Sequence, residues 1–325
     1  MIKNADKLSA TAFLFLIFCL ASQSFAGAWT QKKRGMYLKF SVNYLRTGNE
    51  FDYKGREVGD FGYTFEKNPL VREPSFRDFT ATVYFEYGLT EQLTLVSKLP
   101  FKSLTSRRDE SIGAGEGTSA IRVESITSGF SDLQVSLRYR LLEAPFIFSL
   151  EGGVKIPLGY KKPAETGTVL DLDDNEEDDR APLGTGREDA EIMALFGKSL
   201  FPIPVYITGG IGYRQRAGTT FHDEIIYNAE VGVTFGRFLV KTYWDGLRNT
   251  NRPIPDKNAL QPDQPLTGGE WVDFNVGDVD VMKISPSIIF DFNKNLDLQA
   301  EFLHILSGKN TVSGDMFSFG VIFKK

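Results

Sequence analysis

The sequence predicts an all-β fold, a transmembrane antiparallel up-and-down β-barrel of about twelve strands. Three observations support this fold class. Apolar and polar residues alternate with a period of two in segments of about 9–11 residues, the length at which a tilted strand crosses a bilayer. The two faces of these segments differ sharply in charge. The connections between them alternate between long and short along the chain, as they do in outer-membrane barrels.

The clearest pattern lies in the hairpin of residues 130–157. Every second residue of its first arm, from Leu133 to Leu141, is apolar, and the intervening residues are polar or charged. The second arm, residues 146–156, repeats the pattern. A period of two over this length indicates a strand with a different solvent on each face. Because an unpaired backbone group in lipid costs several kcal/mol, such strands must close into a barrel.

The rest of the chain repeats this unit. Short connections follow the even-numbered strands, whereas long connections follow the odd-numbered ones. Outer-membrane barrels have short periplasmic turns and longer outer loops, so we expect the Gly- and Ser-rich residues 103–129 to form an outer loop. The predicted strands span residues 36–45, 76–87, 92–102, the two arms of 130–157, 189–200, 204–214, 224–235, 238–246, 280–292, 296–306 and 315–323.

The composition suits a barrel better than a helical membrane protein. The chain has 325 residues, a formal net charge of -5, 42% hydrophobic residues and 13% aromatic residues. After residue 26 no run approaches the ~18 apolar residues that a spanning helix needs. The mild negative charge provides no basic surface, so nucleic acid is not an expected partner.

Residues 1–26 are predicted to be a secretory signal peptide that is cleaved after Ala26, leaving residues 27–325 as the outer-membrane barrel. Lysines precede an apolar run, and small residues flank the cleavage position. The only cysteine, Cys19, lies in this segment. No disulfide and no thiolate chemistry are therefore expected in the mature protein.

The polar phase of the strands is expected to face the lumen. Both signs of charge occur on it, so strong ion selectivity does not follow. Eight-stranded barrels have filled interiors and barrels of about 16–18 strands hold open channels, so about twelve strands allow either a narrow pore or a lumen plugged by salt bridges. The candidate pore-lining residues are Lys98, Arg138, Arg140, Glu151, Lys155, Glu191, Glu230, Lys241, Asp245 and Lys283.

Two prolines, Pro100 and Pro157, lie at matching ends of two strands near the predicted outer rim. Because proline removes a donor from the ladder, each is expected to mark a bulge or a strand end. The alternative is a rim on which an inward-folded loop docks.

The longest acidic run, residues 171–179, falls in a predicted outer loop. It lacks the EF-hand pattern, because Glu176 stands where that loop needs glycine and Pro182 where it needs a bidentate glutamate. A solvated loop is the favoured interpretation, and no cofactor is expected. The weak candidates for a metal site are Asp171, Asp173, Asp174, Asp178 and Asp179.

The chain has two histidines, His222 and His304. His304 falls on the apolar phase near the outer rim with Ser307 close by, an arrangement reminiscent of the serine–histidine pair of a lipid-hydrolysing barrel. No third group that would orient His304 is identifiable, and the chain has no G-x-S-x-G motif. An interfacial histidine is the favoured interpretation, so the chain is not expected to be an enzyme.

Several segments resemble known families. GAWTQ (residues 27–31) and GMYLKFSVNYLRTGNEFDYKG (residues 35–55) resemble the start of the XagA-like outer-membrane proteins. YFEYGLTEQLTLVSKLPF (residues 84–101), GFSDLQVSLRY (residues 129–139) and VKIPLGY (residues 154–160) resemble the wider family of outer-membrane proteins of the phenol-degradation meta pathway. The resemblance implies a barrel that passes small solutes, with aromatic or hydrophobic molecules as candidates. It carries over no catalytic residues.

These patterns favour an outer-membrane channel for the passive passage of small solutes. One alternative is a surface structural or adhesion protein whose plugged barrel serves only as an anchor. Another is a lipid-modifying enzyme acting through His304. The expected partners are outer-membrane lipid, lipopolysaccharide and a small-molecule solute, and the oligomeric state stays open.

Overall fold

A computed structural model describes residues 27–51, 55–59, 75–112, 119–160, 183–217, 222–250, 279–309 and 311–325. The predicted signal peptide, residues 1–26, lies outside these ranges. No helix within them is long and apolar enough to cross a membrane. The strands are β1 (Met36–Thr47), β2 (Asn49–Phe51), β3 (Glu57–Gly59), β4 (Ser75–Gly88), β5 (Leu93–Ile112), β6 (Ser119–Phe130), β7 (Asp132–Leu142), β8 (Ile147–Pro157), β9 (Asp189–Ser199), β10 (Val205–Arg216), β11 (Glu224–Phe235), β12 (Phe238–Asn249), β13 (Asp280–Asn293), β14 (Leu296–Lys309), β15 (Thr311–Ser313) and β16 (Asp315–Lys324).

Twelve of these strands form a closed antiparallel barrel. Neighbours along the chain pair with each other, and β1 pairs with β16 to close the ring, from Tyr37 with Lys324 to Leu45 with Met316. The predicted fold class is confirmed. Closure gives every barrel strand two hydrogen-bonded neighbours, which removes the unpaired sheet edges that lipid would not tolerate.

The connections separate into two ends of the barrel. Short turns join β4 to β5, β7 to β8, β9 to β10, β11 to β12 and β13 to β14 at one end. The C-terminal residue lies at the same end, where the amide of Met36 bonds to the carbonyl oxygen of Lys325 at 2.9 Å. The longer connections lie at the opposite end. We call these the short-turn end and the long-loop end.

The apolar residues of the strands lie on the outer surface. In β1, Phe40, Val42 and Tyr44 are 46%, 43% and 44% exposed, whereas Ser41 and Leu45 on the inner face are 9% and 1% exposed. Apolar surface left in water forgoes about 25 cal/mol per Å². An outer face of this kind is therefore suited to lipid rather than water.

The main departure from the predicted strands is the segment of residues 103–129. The sequence predicts a loop there, but β5 and β6 continue as a paired hairpin from Phe101 with Phe130 to Ile112 with Ser119. The prediction was wrong because the hairpin extends beyond the belt where one face must be apolar. Without that requirement, paired strands can form although their sequences do not alternate between apolar and polar residues.

Pro100 and Pro157 have different roles. Ser131 joins β6 to β7, its amide bonds to the carbonyl oxygen of Pro100 at 2.9 Å, and the pairing register shifts by one residue there. Pro100 thus lies inside β5 opposite a bulge. Pro157 is the last residue of β8 and pairs with Asp132. The bulge and strand-end interpretations each hold for one proline.

A second, three-stranded sheet of β15, β2 and β3 stands at the long-loop end. Phe51 of β2 pairs with Thr311 of β15 and with Glu57 of β3. The sequence predicts loops at these positions, because strands of three residues are too short to show a period.

Candidate functional site

Residues 27–35, which we call the N-terminal segment, lie inside the barrel at the short-turn end. Ala28 is fully buried, and its carbonyl oxygen accepts a hydrogen bond from Ser149 Oγ of β8 at 2.5 Å. The Trp29 ring packs edge-on against Tyr206 of β10, with 6.0 Å between ring centroids. The segment therefore reaches the wall formed by β8 to β10.

Glycine makes room for this close approach. A Cβ on Gly197 of β9 would lie 2.8 Å from the Trp29 ring and 3.2 Å from the Ala28 Cβ. Gly27 has a φ of +141°, and a Cβ there would lie 2.8 Å from Thr208 Oγ1. Larger residues at these positions would push the segment away from the wall.

Hydrogen bonds tie the rest of the N-terminal segment to β4 and β5. The Gln31 amide donates to Thr94 Oγ1 at 2.8 Å, and Gln31 Nε2 donates to Glu86 Oε2 at 2.6 Å. The Arg34 amide donates to the carbonyl oxygen of Gly88 at 2.7 Å. Glu86 and Thr94 are fully buried. The segment thus spans the interior from β4 to β10.

Arg138 of β7 lies at the centre of these contacts. Its guanidinium donates to the Trp29 carbonyl oxygen at 3.0 Å, to Glu86 at 3.0 Å and to Glu151 at 2.7 Å. Ser136 Oγ also donates to Glu151, at 2.6 Å. The Arg138 side chain is only 4% exposed. One arginine therefore bonds to two interior carboxylates and holds the N-terminal segment beside them.

The opposite wall at the short-turn end is filled by apolar side chains. Tyr37, Ile289 and Ile322 are buried on the inner face, with Tyr84 and Leu239 packed against them. The rings of Tyr37 and Tyr84 meet edge-on at 6.0 Å. This cluster and the N-terminal segment therefore both lie on the inner face at the short-turn end.

Farther toward the long-loop end the inner face carries ion pairs between neighbouring strands. The hydroxyl of Tyr206, whose ring packs against Trp29, donates to Glu230 of β11 at 2.5 Å. The pairs are Lys241–Glu230 at 2.9 Å, Lys283–Asp245 at 2.9 Å, Arg214–Glu191 at 2.9 Å, Arg214–Glu224 at 2.8 Å and Arg216–Glu224 at 3.1 Å. They lie along the wall rather than across the lumen, so the pairs themselves do not bridge it.

Three further lysines face the interior. Within the described residues no salt bridge involves Lys39, Lys98 or Lys102. Lys98 lies on the inward phase of β5, opposite Tyr84 of β4, and the residue is exposed there. The charges that act on Lys98 most strongly come from Lys283, Asp245, Lys102 and Arg214. We call the inner face around Lys39, Lys98 and Lys102 the lysine vestibule.

At the long-loop end, residues 183–186 fold onto the rim of β7 and β8. Lys155 Nζ donates to Thr185 Oγ1 at 2.7 Å, pairs with Asp132 at 3.5 Å and also pairs with Asp189. Ser131 Oγ donates to the carbonyl oxygen of Leu183. The suggestion that an inward-folded loop docks at this rim fits these contacts.

Tyr160 completes this docking contact. Its hydroxyl donates to Asp132 and accepts a hydrogen bond from the Gly186 amide at 2.8 Å. Burial, followed by the hydrogen bond to Asp132, raises the pKa of the Tyr160 hydroxyl above its usual value. The phenol therefore stays protonated and keeps donating across the working pH range.

The candidate pore-lining residues all lie on the inward phase of their strands. Arg138 contacts the N-terminal segment and pairs with Glu151, whereas Lys155 contacts residues 183–186, which we call the rim loop. Arg140 instead pairs with Glu143 at 3.5 Å beside a short turn. The sequence missed Glu86, although it lies on the polar phase of its strand, and it missed the N-terminal segment, which has no period.

His304 has a partner that the sequence did not identify. Its Nδ1 lies 2.7 Å from Asp315 Oδ1, and both side chains are about half exposed on the outer surface. Ser307 pairs with Met282 in the ladder. The sequence did not identify Asp315 because it reaches His304 only through the β14–β16 register.

No group of His, Cys, Asp and Glu residues that could hold a metal ion occurs in the part of the chain that the structure describes. The weak candidates Asp171, Asp173, Asp174, Asp178 and Asp179 lie outside those residues.

A solved structure with a TM-score above 0.5 supports the fold. No protein-family model and no curated protein matches the chain. An outer membrane channel from Pseudomonas putida F1 has a similar structure, with a TM-score of 0.58 and 13% identity over 94% of this chain and 100% of that one. The NanC porin gives 0.47 with 7% identity over 88% and 100%, and the P. putida toluene transporter TodX gives 0.40 with 8% identity over 90% and 89%.

Proposed function

We propose that the chain is an outer-membrane channel for small solutes, occluded at its periplasmic end by its own N-terminal segment. The observation that carries this proposal is the contrast along the lumen. Lys98 is exposed on the inner face, whereas the N-terminal segment, held by hydrogen bonds to Arg138 and Ser149, covers part of the inner face at the short-turn end. A closure held by hydrogen bonds and one arginine can be displaced without unfolding the barrel.

The membrane location rests on the outer surface. Exposed Phe, Tyr, Leu, Ile and Val side chains cover the barrel wall, and the short turns lie at the end where both termini of the mature chain would sit. In such barrels the short turns face the periplasm. We therefore assign the long-loop end to the outside, with lipid and lipopolysaccharide as its surroundings. Export through the predicted signal peptide, cleaved after Ala26, belongs to the same proposal.

The solute is proposed to be small and polar at one end. The candidate pore-lining residues and the lysine vestibule present charge of both signs, with lysines in excess near Lys98. The resemblance to XagA-like proteins and to the meta-pathway family suggests aromatic or hydrophobic solutes. A small aromatic acid combines both features, because its carboxylate suits the lysines while its ring suits the interior tyrosines.

The second candidate is an anchor for a surface protein, with a permanently plugged lumen. The buried Arg138 cluster and the apolar cluster around Ile322 favour it, since both would also stabilise a static plug. The lipid-modifying enzyme is not favoured, because no described contact joins Ser307 to His304.

Single-channel conductance of the refolded mature protein in a planar bilayer tests the proposal. We expect discrete current steps that a small aromatic acid, added on the long-loop side, blocks or shortens. The folded state would be verified beforehand by a gel-mobility shift on boiling. A correctly folded barrel that never conducts would support the anchor instead.

A further inference from the structure

A row of aromatic side chains marks the outer edge of the apolar belt. Tyr44 pairs with Phe79 on one side and with Phe317 on the other, and the Phe317 ring lies 5.3 Å from that of Phe302. These side chains are exposed on the outer surface. Aromatic girdles of this kind lie at the level where the hydrocarbon core meets the headgroups.

Two arginines lie directly beyond this row. Arg46 and Arg77 face outward on β1 and β4, two residues past Tyr44 and Phe79, which is about 7 Å farther along the strand. They are direct cross-strand partners. Like charges placed directly opposite each other in a sheet are destabilising, so this pair needs an explanation.

Within the described residues the pair makes no salt bridge. None of their ion pairs or hydrogen bonds involves the side chain of Arg46 or Arg77. The Nε atom of Arg77 is shielded from solvent and has no hydrogen-bond partner there. Asp315 of β16 lies one position beyond the β1–β16 pair of Leu45 with Met316, on the side of Arg46. Its carboxylate bonds to His304.

We propose that Arg46 and Arg77 bind a phosphate group of the outer-leaflet glycolipid, the lipid A part of lipopolysaccharide. A phosphate between the two guanidinium groups would turn their repulsion into two charge-assisted contacts. The acyl chains of the same lipid would lie on the aromatic row below. The orientation of the site rests on the proposed outer-membrane location, which places the long-loop end outside.

The position distinguishes a lipid from a free anion. A site for free phosphate has no reason to stand at the edge of an apolar belt, whereas headgroup phosphates lie at that level. The chain also offers a matched comparison in Arg248 of β12, which faces outward near the long-loop end but has Ile225 as its cross-strand partner. A single arginine without a second cation beside it should bind phosphate more weakly.

Native mass spectrometry of the mature protein with lipid A in detergent tests the site. We expect the double variant Arg46→Gln/Arg77→Gln to retain about tenfold less bisphosphorylated lipid A than the unsubstituted protein, since charge-assisted contacts are lost. Arg248→Gln should bind as the unsubstituted protein does. Lipid A without its phosphates should bind as weakly as the double variant, and equimolar inorganic phosphate should not displace the intact lipid.

Equal binding by the double variant and the unsubstituted protein would overturn the assignment, and so would displacement of the lipid by equimolar phosphate. Conductance of the same samples distinguishes a failure of this lipid site from a failure of the proposed channel function. We expect the double variant to conduct unchanged. A protein that binds lipid A through these arginines but never conducts would keep the site and remove the channel.

Discussion

The inward-facing residues of the same strands form different arrangements in the two halves of the barrel interior. At the short-turn end the inward phase is filled, on one side by the N-terminal segment around Arg138 and on the other by the apolar cluster around Ile322. Toward the long-loop end it carries ion pairs between neighbouring strands, and Lys98 is exposed beside Tyr84. The comparison shows that strand number does not decide whether such a lumen is open. The residues that project into it do.

The largest expected effect follows from breaking the closed half at Arg138. Arg138→Gln would leave Glu86 and Glu151 without their cation, and unpaired buried charges of this kind cost about 3–5 kcal/mol. We expect a clearly lower midpoint of urea unfolding, followed by tryptophan fluorescence. The matched control is Arg140→Gln, whose pair with the exposed Glu143 is worth at most about 1 kcal/mol. Equal effects of the two substitutions would argue against a special role for the cluster.

A smaller but distinctive effect follows from reversing charge in the open half. Lys98→Glu would replace a cation of the lysine vestibule with an anion without removing a described contact of the N-terminal segment. We expect the reversal potential in a KCl gradient to shift toward that of potassium. Lys198→Glu reverses the same charge on the outer surface near the short-turn end and should leave the reversal potential unchanged. A shift in both variants, or in neither, would contradict a route past Lys98.

The smallest expected effect concerns the rim loop. Tyr160→Phe removes the hydrogen bond to Asp132 and the acceptor for the Gly186 amide, a loss of roughly 1 kcal/mol per bond. We expect faster hydrogen exchange in residues 183–188 and little change in global stability. Tyr139→Phe, which loses an exposed hydrogen bond to Gln92 at the other end, serves as the control. Unchanged exchange in the Tyr160 variant would mean that the loop is held by other contacts.

Much of the barrel could be predicted from the sequence, because lipid imposes a strict rule on every strand. The alternation in β1 or β7 exists because one face meets hydrocarbon and the other water, and it disappears where that demand ends, as in the β5–β6 hairpin. The candidate site was harder to predict. Arg138 was identifiable as inward-facing, but its partner Glu86 belongs to a strand that is not adjacent to β7 in the barrel.

The N-terminal segment could not be predicted for a different reason. Residues 27–35 have no period, and their position depends on the fit of Trp29 against Gly197 and Tyr206, which the chain creates only after closure. Asp315 was missed as a partner of His304 for the same reason, since the contact depends on strand register.

If the N-terminal segment closes the channel and can be displaced, its removal should open the lumen, and this is tested by comparing the mature chain with one that begins at Lys32. The shortened chain loses the contacts of Ala28, Trp29 and Gln31 but keeps every barrel strand. A full-length Trp29→Ala/Gln31→Ala variant keeps the segment length and removes two of its anchors. We predict a larger and steadier single-channel conductance for the shortened chain, with the substituted full-length chain in between. The same conductance in all three, or none in any, would contradict the account.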